Sequence, residues 1–169
     1  MVKIYVLTLL LGLISGCVDE DNTINIEKNT VSNSPFKFKE YIGTTGVTGS
    51  LEFIETMHRV VEDLLVDTVS ENFSGARGRL RLIDGKYLIM DGCKHNSCTE
   101  KGFFWYEIKS DRAIFVIGEQ SSSPTDYFVF VKKDAFDSLP NNFITQVEIW
   151  LSESKISPHN MEVIYNETP

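Results

Sequence analysis

Between residues 80 and 132 the chain is cut into short apolar runs by turn-forming residues, which is the spacing of strands joined by tight connections. The runs fall at 80–83, 86–90, 103–108, 113–118 and 127–132. Asp84-Gly85 separates the first two, and a tight hairpin turn needs positive φ at both central residues, which Asp and Gly tolerate. Lys109-Ser110-Asp111 and Ser121-Ser122-Ser123-Pro124 separate later runs. Consecutive strands with short turns predict an antiparallel meander. Upstream, Phe53, Ile54, Met57, Val60, Val61, Leu64 and Leu65 recur at helical spacing, predicting one helix from Ser50 that packs this stripe on a core while Glu52, Glu55, Arg59, Glu62 and Asp63 face water. Past Pro140, a second helix is predicted from Phe143, Ile144, Val147, Trp150 and Leu151. The tail from Ser157 is left either lying across the domain or free. The expected class is α+β: an antiparallel sheet of about five strands with helices packed on one face.

Charge narrows the partners. Sixteen Lys or Arg against 24 Asp or Glu give a net charge of −8, which excludes a general nucleic-acid binder, because affinity for phosphate backbones needs clustered positive charge. A hydrophobic content of 42% is ordinary for a globular chain of 169 residues, and a single folded domain is expected over 36–169. There is no internal repeat, no glycine-rich phosphate loop and no sustained heptad.

The amino terminus carries an address. Lys3 precedes an apolar run at 4–14, followed by Ser15-Gly16 and then Cys17. The run is too short to span a bilayer, which takes about 20 residues in a helix, and reads as an export signal over 1–16. Its ending, Leu13-Ile14-Ser15-Gly16-Cys17, resembles the lipobox of bacterial lipoproteins. That resemblance implies cleavage before Cys17 and lipidation of its thiol and new amino group. Buried acyl carbons, at about 0.8 kcal/mol per CH₂, then hold the chain on a membrane without a transmembrane segment. Residues 17–35 are polar and form the expected flexible tether, with a random-coil reach of roughly 20 to 25 Å. Val18 and Asp19 follow the cysteine, and such positions direct sorting in double-membrane bacteria. The expected location is the periplasmic side of the bacterial envelope, on the outer membrane.

Of three cysteines, Cys93 and Cys98 remain for the domain. They enclose Lys94, His95, Asn96 and Ser97 between two predicted strands, and in an exported protein such a pair is expected to form a disulfide. A domain of some 130 residues builds its core without staples, so the bond is read as stiffening a protruding loop. Other readings stand beside it: zinc held by Cys93, His95 and Cys98, which lacks a clear fourth ligand; a Cys-His nucleophile, which needs a free thiolate and an orienting third group; or a pinned turn without function. His58 and His159 are expected to be solvated, and the run from Glu52 to Asp63 a polar helix face.

The stretch Tyr87-Leu88-Ile89-Met90-Asp91-Gly92-Cys93-Lys94-His95-Asn96-Ser97-Cys98, the aromatic strand Phe103-Phe104-Trp105-Tyr106, the turn at Lys109-Ser110-Asp111 and Lys133-Asp134-Ala135 together resemble the inhibitor of vertebrate lysozyme (Ivy) family over residues 78–135. Members carry a Cys-Lys-Pro-His-Asp-Cys loop between strands. Here proline is absent, His95 stands one place earlier, Asn96 takes the family histidine's position, and Ser97 takes that of the acidic residue. The resemblance implies an Ivy-like sheet whose disulfide-closed loop enters a lysozyme active site. The expected function is therefore a membrane-tethered inhibitor of a lysozyme or other peptidoglycan hydrolase, working through Lys94, His95, Asn96 and Ser97, with no cofactor, no metal and no catalysis of its own. An alternative keeps the fold and makes the target a cell-wall toxin from a neighbouring bacterium, so that the chain is an immunity lipoprotein. A homodimer is among the assemblies this reading allows.

Overall fold

The computed structural model describes residues 36–121 and 123–167. The signal peptide expected over 1–16, and the lipidated Cys17 and tether expected over 17–35, lie outside the described residues.

After two short 3₁₀ turns at Lys39–Tyr41 and Gly46–Gly49, helix α1 spans Leu51–Val60. Its Ser50 cap accepts a hydrogen bond from the Phe53 N–H at 3.2 Å, satisfying one of the orphan donors of the first turn. The single helix predicted from Ser50 is in fact two. Val61 turns extended (φ −106°, ψ 135°), and α2 restarts at Asp63–Glu71. The break re-aims the second segment, so that Val66 and Val69 face the core. Leu64, placed on the apolar stripe by sequence spacing, is instead 93% exposed, and Ile54 is exposed as well.

The sheet has six strands in sequential order: β1 (Arg81–Ile83), β2 (Tyr87–Lys94), β3 (Ser97–Glu107), β4 (Arg112–Glu119), β5 (Thr125–Lys132) and β6 (Pro158–Asn166). Strands β1 to β5 form the expected antiparallel meander. The β1–β2 turn holds Asp84 and Gly85 at φ 52° and 65°, as the hairpin reading required. The expectation of about five antiparallel strands is corrected by β6, which the tail supplies and which pairs with β5 in parallel. A parallel neighbour needs a crossover, and α3 (Asn141–Glu153) provides it.

Helices on one face is also corrected, because both faces are covered. Leu88, Met90, Phe104, Tyr106, Phe115 and Phe130 pack with Phe53, Met57, Val60, Val66 and Val69 of α1 and α2. Their alternates Ile89, Phe103, Trp105, Ile114, Val116 and Val129 pack with Phe143, Val147 and Trp150 of α3. The cause is visible in β3. Phe103-Phe104-Trp105-Tyr106 is apolar without alternation, so neither face of the strand can be left in water.

The two ends of the sheet differ. At the β3–β4 turn, Asp111 accepts two hydrogen bonds from the Arg59 guanidinium, at 2.7 and 3.0 Å, and one from the Tyr106 hydroxyl at 2.9 Å. The Arg59 hydrogen bond holds the Asp111 carboxyl below its usual range against partial burial, while burial pushes the Tyr106 phenol well up. Lys37 Nζ lies 3.9 Å from Asp111 and Phe38 packs edge-on against Tyr106, so the first described residues join the domain here. The β2–β3 connection holding the cysteines is at the other end, one strand length away. That is about 33 Å for a strand like β3.

Candidate functional site

The cysteine segment is the tip of the β2–β3 hairpin rather than a separate loop between strands. Lys94 pairs with Ser97, leaving His95 and Asn96 as the two residues of the turn, with Asn96 at φ 60°, a conformation asparagine tolerates better than most residues. The next matched pair is Cys93 with Lys101, so Cys98–Glu100 bulges away from β2 and the register shifts. The Thr99 carbonyl accepts instead from the Gln120 N–H at the end of β4, at 2.7 Å. Cys93 and Cys98 form a disulfide across the bulge, with a Cα–Cα separation of 4.9 Å, inside the ordinary range. The bond occupies both sulfurs, so the zinc and thiolate-nucleophile readings lose the thiolates they require.

The base of this tip is fastened from the other side by residues 71–78, a segment the sequence reading did not connect to it. Gly75 N–H donates to the Cys93 carbonyl at 2.7 Å, Cys93 N–H to the Ala76 carbonyl at 3.0 Å, and Gly78 N–H to the Asp91 carbonyl at 2.9 Å. His95 N–H donates to Ser74 Oγ at 2.9 Å. A Cβ at Gly75 would sit 2.7 Å from the Lys94 carbonyl oxygen, so the closeness of the two backbones depends on glycine there. Beneath the segment, the Phe73 ring fills the space left by Gly92 and Gly102 and meets Phe53 edge-on at 5.6 Å. The string Ser74-Gly75-Ala76-Arg77-Gly78 was the available signal, since clustered small residues mark close backbone approach, but nothing local names the partner strand.

The four residues expected to act are not presented alike. Lys94 is turned back, its Nζ 3.0 Å from both Glu71 Oε2 and Glu100 Oε2, with only 32% of its side chain exposed. The Glu100 and Glu71 carboxylates raise its pKa, so it is a charged fastener rather than a free cationic probe. Ser97 is half-buried, its hydroxyl 3.0 Å from that of Thr99. His95 and Asn96 are exposed side by side at the apex. Between them they offer an imidazole and a carboxamide, able to donate and to accept hydrogen bonds. His58 and His159 are exposed as expected, each 3.4 Å from a carboxylate, Asp63 and Asp126 respectively.

Beside the tip is a groove of about 370 Å³. Ser74 and Arg77 line its near side, Phe53, Met57 and Phe73 its apolar wall, and the exposed Ile54 its far side. Comparison with protein-family models, with curated proteins and with solved structures finds no match, so the likeness to the Ivy family stands on its motif alone.

Proposed function

We propose that this chain is a lipid-tethered inhibitor on the periplasmic side of the bacterial outer membrane, and that it blocks a peptidoglycan-cleaving hydrolase, a lysozyme first of all, by inserting the His95–Asn96 turn into the active-site cleft. The observation that carries the reading is a two-residue apex, exposed at its side chains and held at its base by a disulfide, three backbone hydrogen bonds exchanged with residues 75–78 and the Lys94 ion pairs. A turn already ordered loses little conformational entropy on entering a cleft. Lysozyme-type glycosidases work through two carboxyl groups flanking the scissile bond, and an imidazole held between them hydrogen-bonds both, most strongly when it is protonated and donates from both nitrogens.

Two further features support an inhibitory contact. The groove beside the apex, backed by the buried Phe53, Met57 and Phe73 and edged by the exposed Ile54, gives a partner's rim a place to seat. The chain's net charge of −8 favours approach to cationic hydrolases, hastening encounter more than it tightens the complex. The first described residues meet the domain at the end of the sheet opposite the apex, where Lys37 lies 3.9 Å from Asp111 and Phe38 packs on Tyr106.

The test is a cell-wall lysis assay with chicken-type, goose-type and invertebrate-type lysozymes. Inhibition of at least one at micromolar concentration is expected. His95→Ala should weaken it about ten-fold or more, the cost of one or two charge-assisted hydrogen bonds. Asn96→Gly, which keeps the backbone conformation while removing the carboxamide, should also weaken it. If all three enzymes stay fully active, the lysozyme reading is wrong. Protection of cells against a toxin encoded beside this chain would then establish the immunity role in its place.

A further inference from the structure

The two edges of the sheet are finished differently. At the β1 edge the strand is three residues long and the backbone beside it is occupied: Gly43 N–H donates to the Leu80 carbonyl at 2.8 Å, and Leu80 N–H to the Thr44 carbonyl at 2.9 Å. Short length and cover are the usual protections of an edge. β6 has neither. It runs for nine residues, and among the described residues no strand pairs with its outer side. Proline occurs only at its first position, its one charged residue that is acidic or basic is Glu162, and it carries two of the domain's exposed large apolar side chains, Met161 (41% exposed) and Tyr165 (52%).

The order of residues along β6 is self-complementary. In an antiparallel pairing of two copies about a two-fold axis at Val163, Met161 of one copy faces Tyr165 of the other, Asn160 faces Asn166, Glu162 faces Ile164, and His159 faces Glu167. Both exposed apolar residues are thus matched with each other on one face, where directly opposed residues touch. At each end His159, which lies 3.4 Å from Asp126, meets Glu167, which Lys133 holds at 2.7 Å, and no like charges oppose across the pairing. Centring the pairing one residue earlier sets Glu162 against Glu162, which is repulsive. We infer that two copies of this chain join edge to edge through β6 with Val163 on the two-fold axis, making one continuous twelve-stranded sheet. The pairing leaves each hairpin apex free, because the strands run in opposite directions and carry the two apices to opposite ends. Both chains still reach one membrane surface. Residues 18–35, at roughly 3.4 Å per residue, extend at most about 60 Å.

The inference is tested on the full chain carrying Cys17→Ser, so that no anchor thiol interferes. Sedimentation at tens of micromolar should give twice the chain mass. Met161→Lys with Tyr165→Lys, both at exposed positions, should return the single-chain mass with an unchanged melting temperature. Val163→Cys should cross-link into a dimer that reduction separates, whereas His159→Cys, which is far from its own counterpart in this register, should not. A single-chain mass at every concentration would overturn the inference, and so would a dimer that survives the double lysine variant or cross-links equally at position 159.

Discussion

Two residues show how much of this domain rests on single contacts. Gly75 allows the chain leaving α2 to lie against the hairpin, and a methyl group there would meet backbone oxygens at 2.7 and 2.9 Å, which no side-chain rotation relieves. Gly75→Ala is expected to lower stability by about 2 kcal/mol, as overpacking in a fixed space does, read as a fall in the denaturation midpoint. Asp111 joins α1, β3 and the β3–β4 turn through Arg59 and Tyr106. Its carboxyl is held below the ordinary carboxylate range, first by the Arg59 hydrogen bond, so its contribution is present above the unfolded-state value near 4 and fades as the pH falls through the lower folded-state value. Asp111→Asn, tolerated at φ 50°, should cost about 1 kcal/mol at neutral pH, a modest figure because the carboxylate is half exposed, and should flatten the loss of stability below pH 4. Urea denaturation of both proteins at pH 7 and pH 3 checks it.

At the scale of elements, the antiparallel meander and the disulfide hairpin were legible in the sequence because both are local. Asp84-Gly85 dictates its own turn, and Cys93 and Cys98 are close enough in the chain to find each other. Helix periodicity was legible too, but its continuity was not. The stripe from Phe53 to Leu65 fits one helix, and only the packing of Val66 and Val69 shows why the chain breaks at Val61. The β6 strand was missed because Pro158–Asn166 alternates weakly and takes its place only from a β5 ladder far back in the sequence. The partners of Lys94 were hidden for a similar reason, since Glu71 lies on a helix that sequence alone does not bring to the hairpin. The disulfide closes a small ring, so Cys93→Ser with Cys98→Ser should reduce stability by only about 2 kcal/mol on the chain-entropy estimate. The same change should loosen the apex and weaken inhibition further than that loss of stability alone would, and parallel melting and inhibition measurements separate the two effects.

For the molecule as a whole, the salient fact is polarity: the chain joins the domain beside Asp111, and the apex lies a strand's length away. On the proposed function this turns the sheet into a spacer, and spacers act on geometry more than on affinity. Removing about ten residues from 18–35 should leave inhibition by the purified protein untouched while reducing the protection of intact cells, an outcome read by lysis of whole bacteria. The length of β3 then acquires a meaning outside folding. On that reading it fixes the distance between each apex and its own chain's point of attachment, so that in the edge-to-edge pair, whose apices lie at opposite ends, each apex comes beside the partner's attachment point and the two tips guard both flanks of one anchored body.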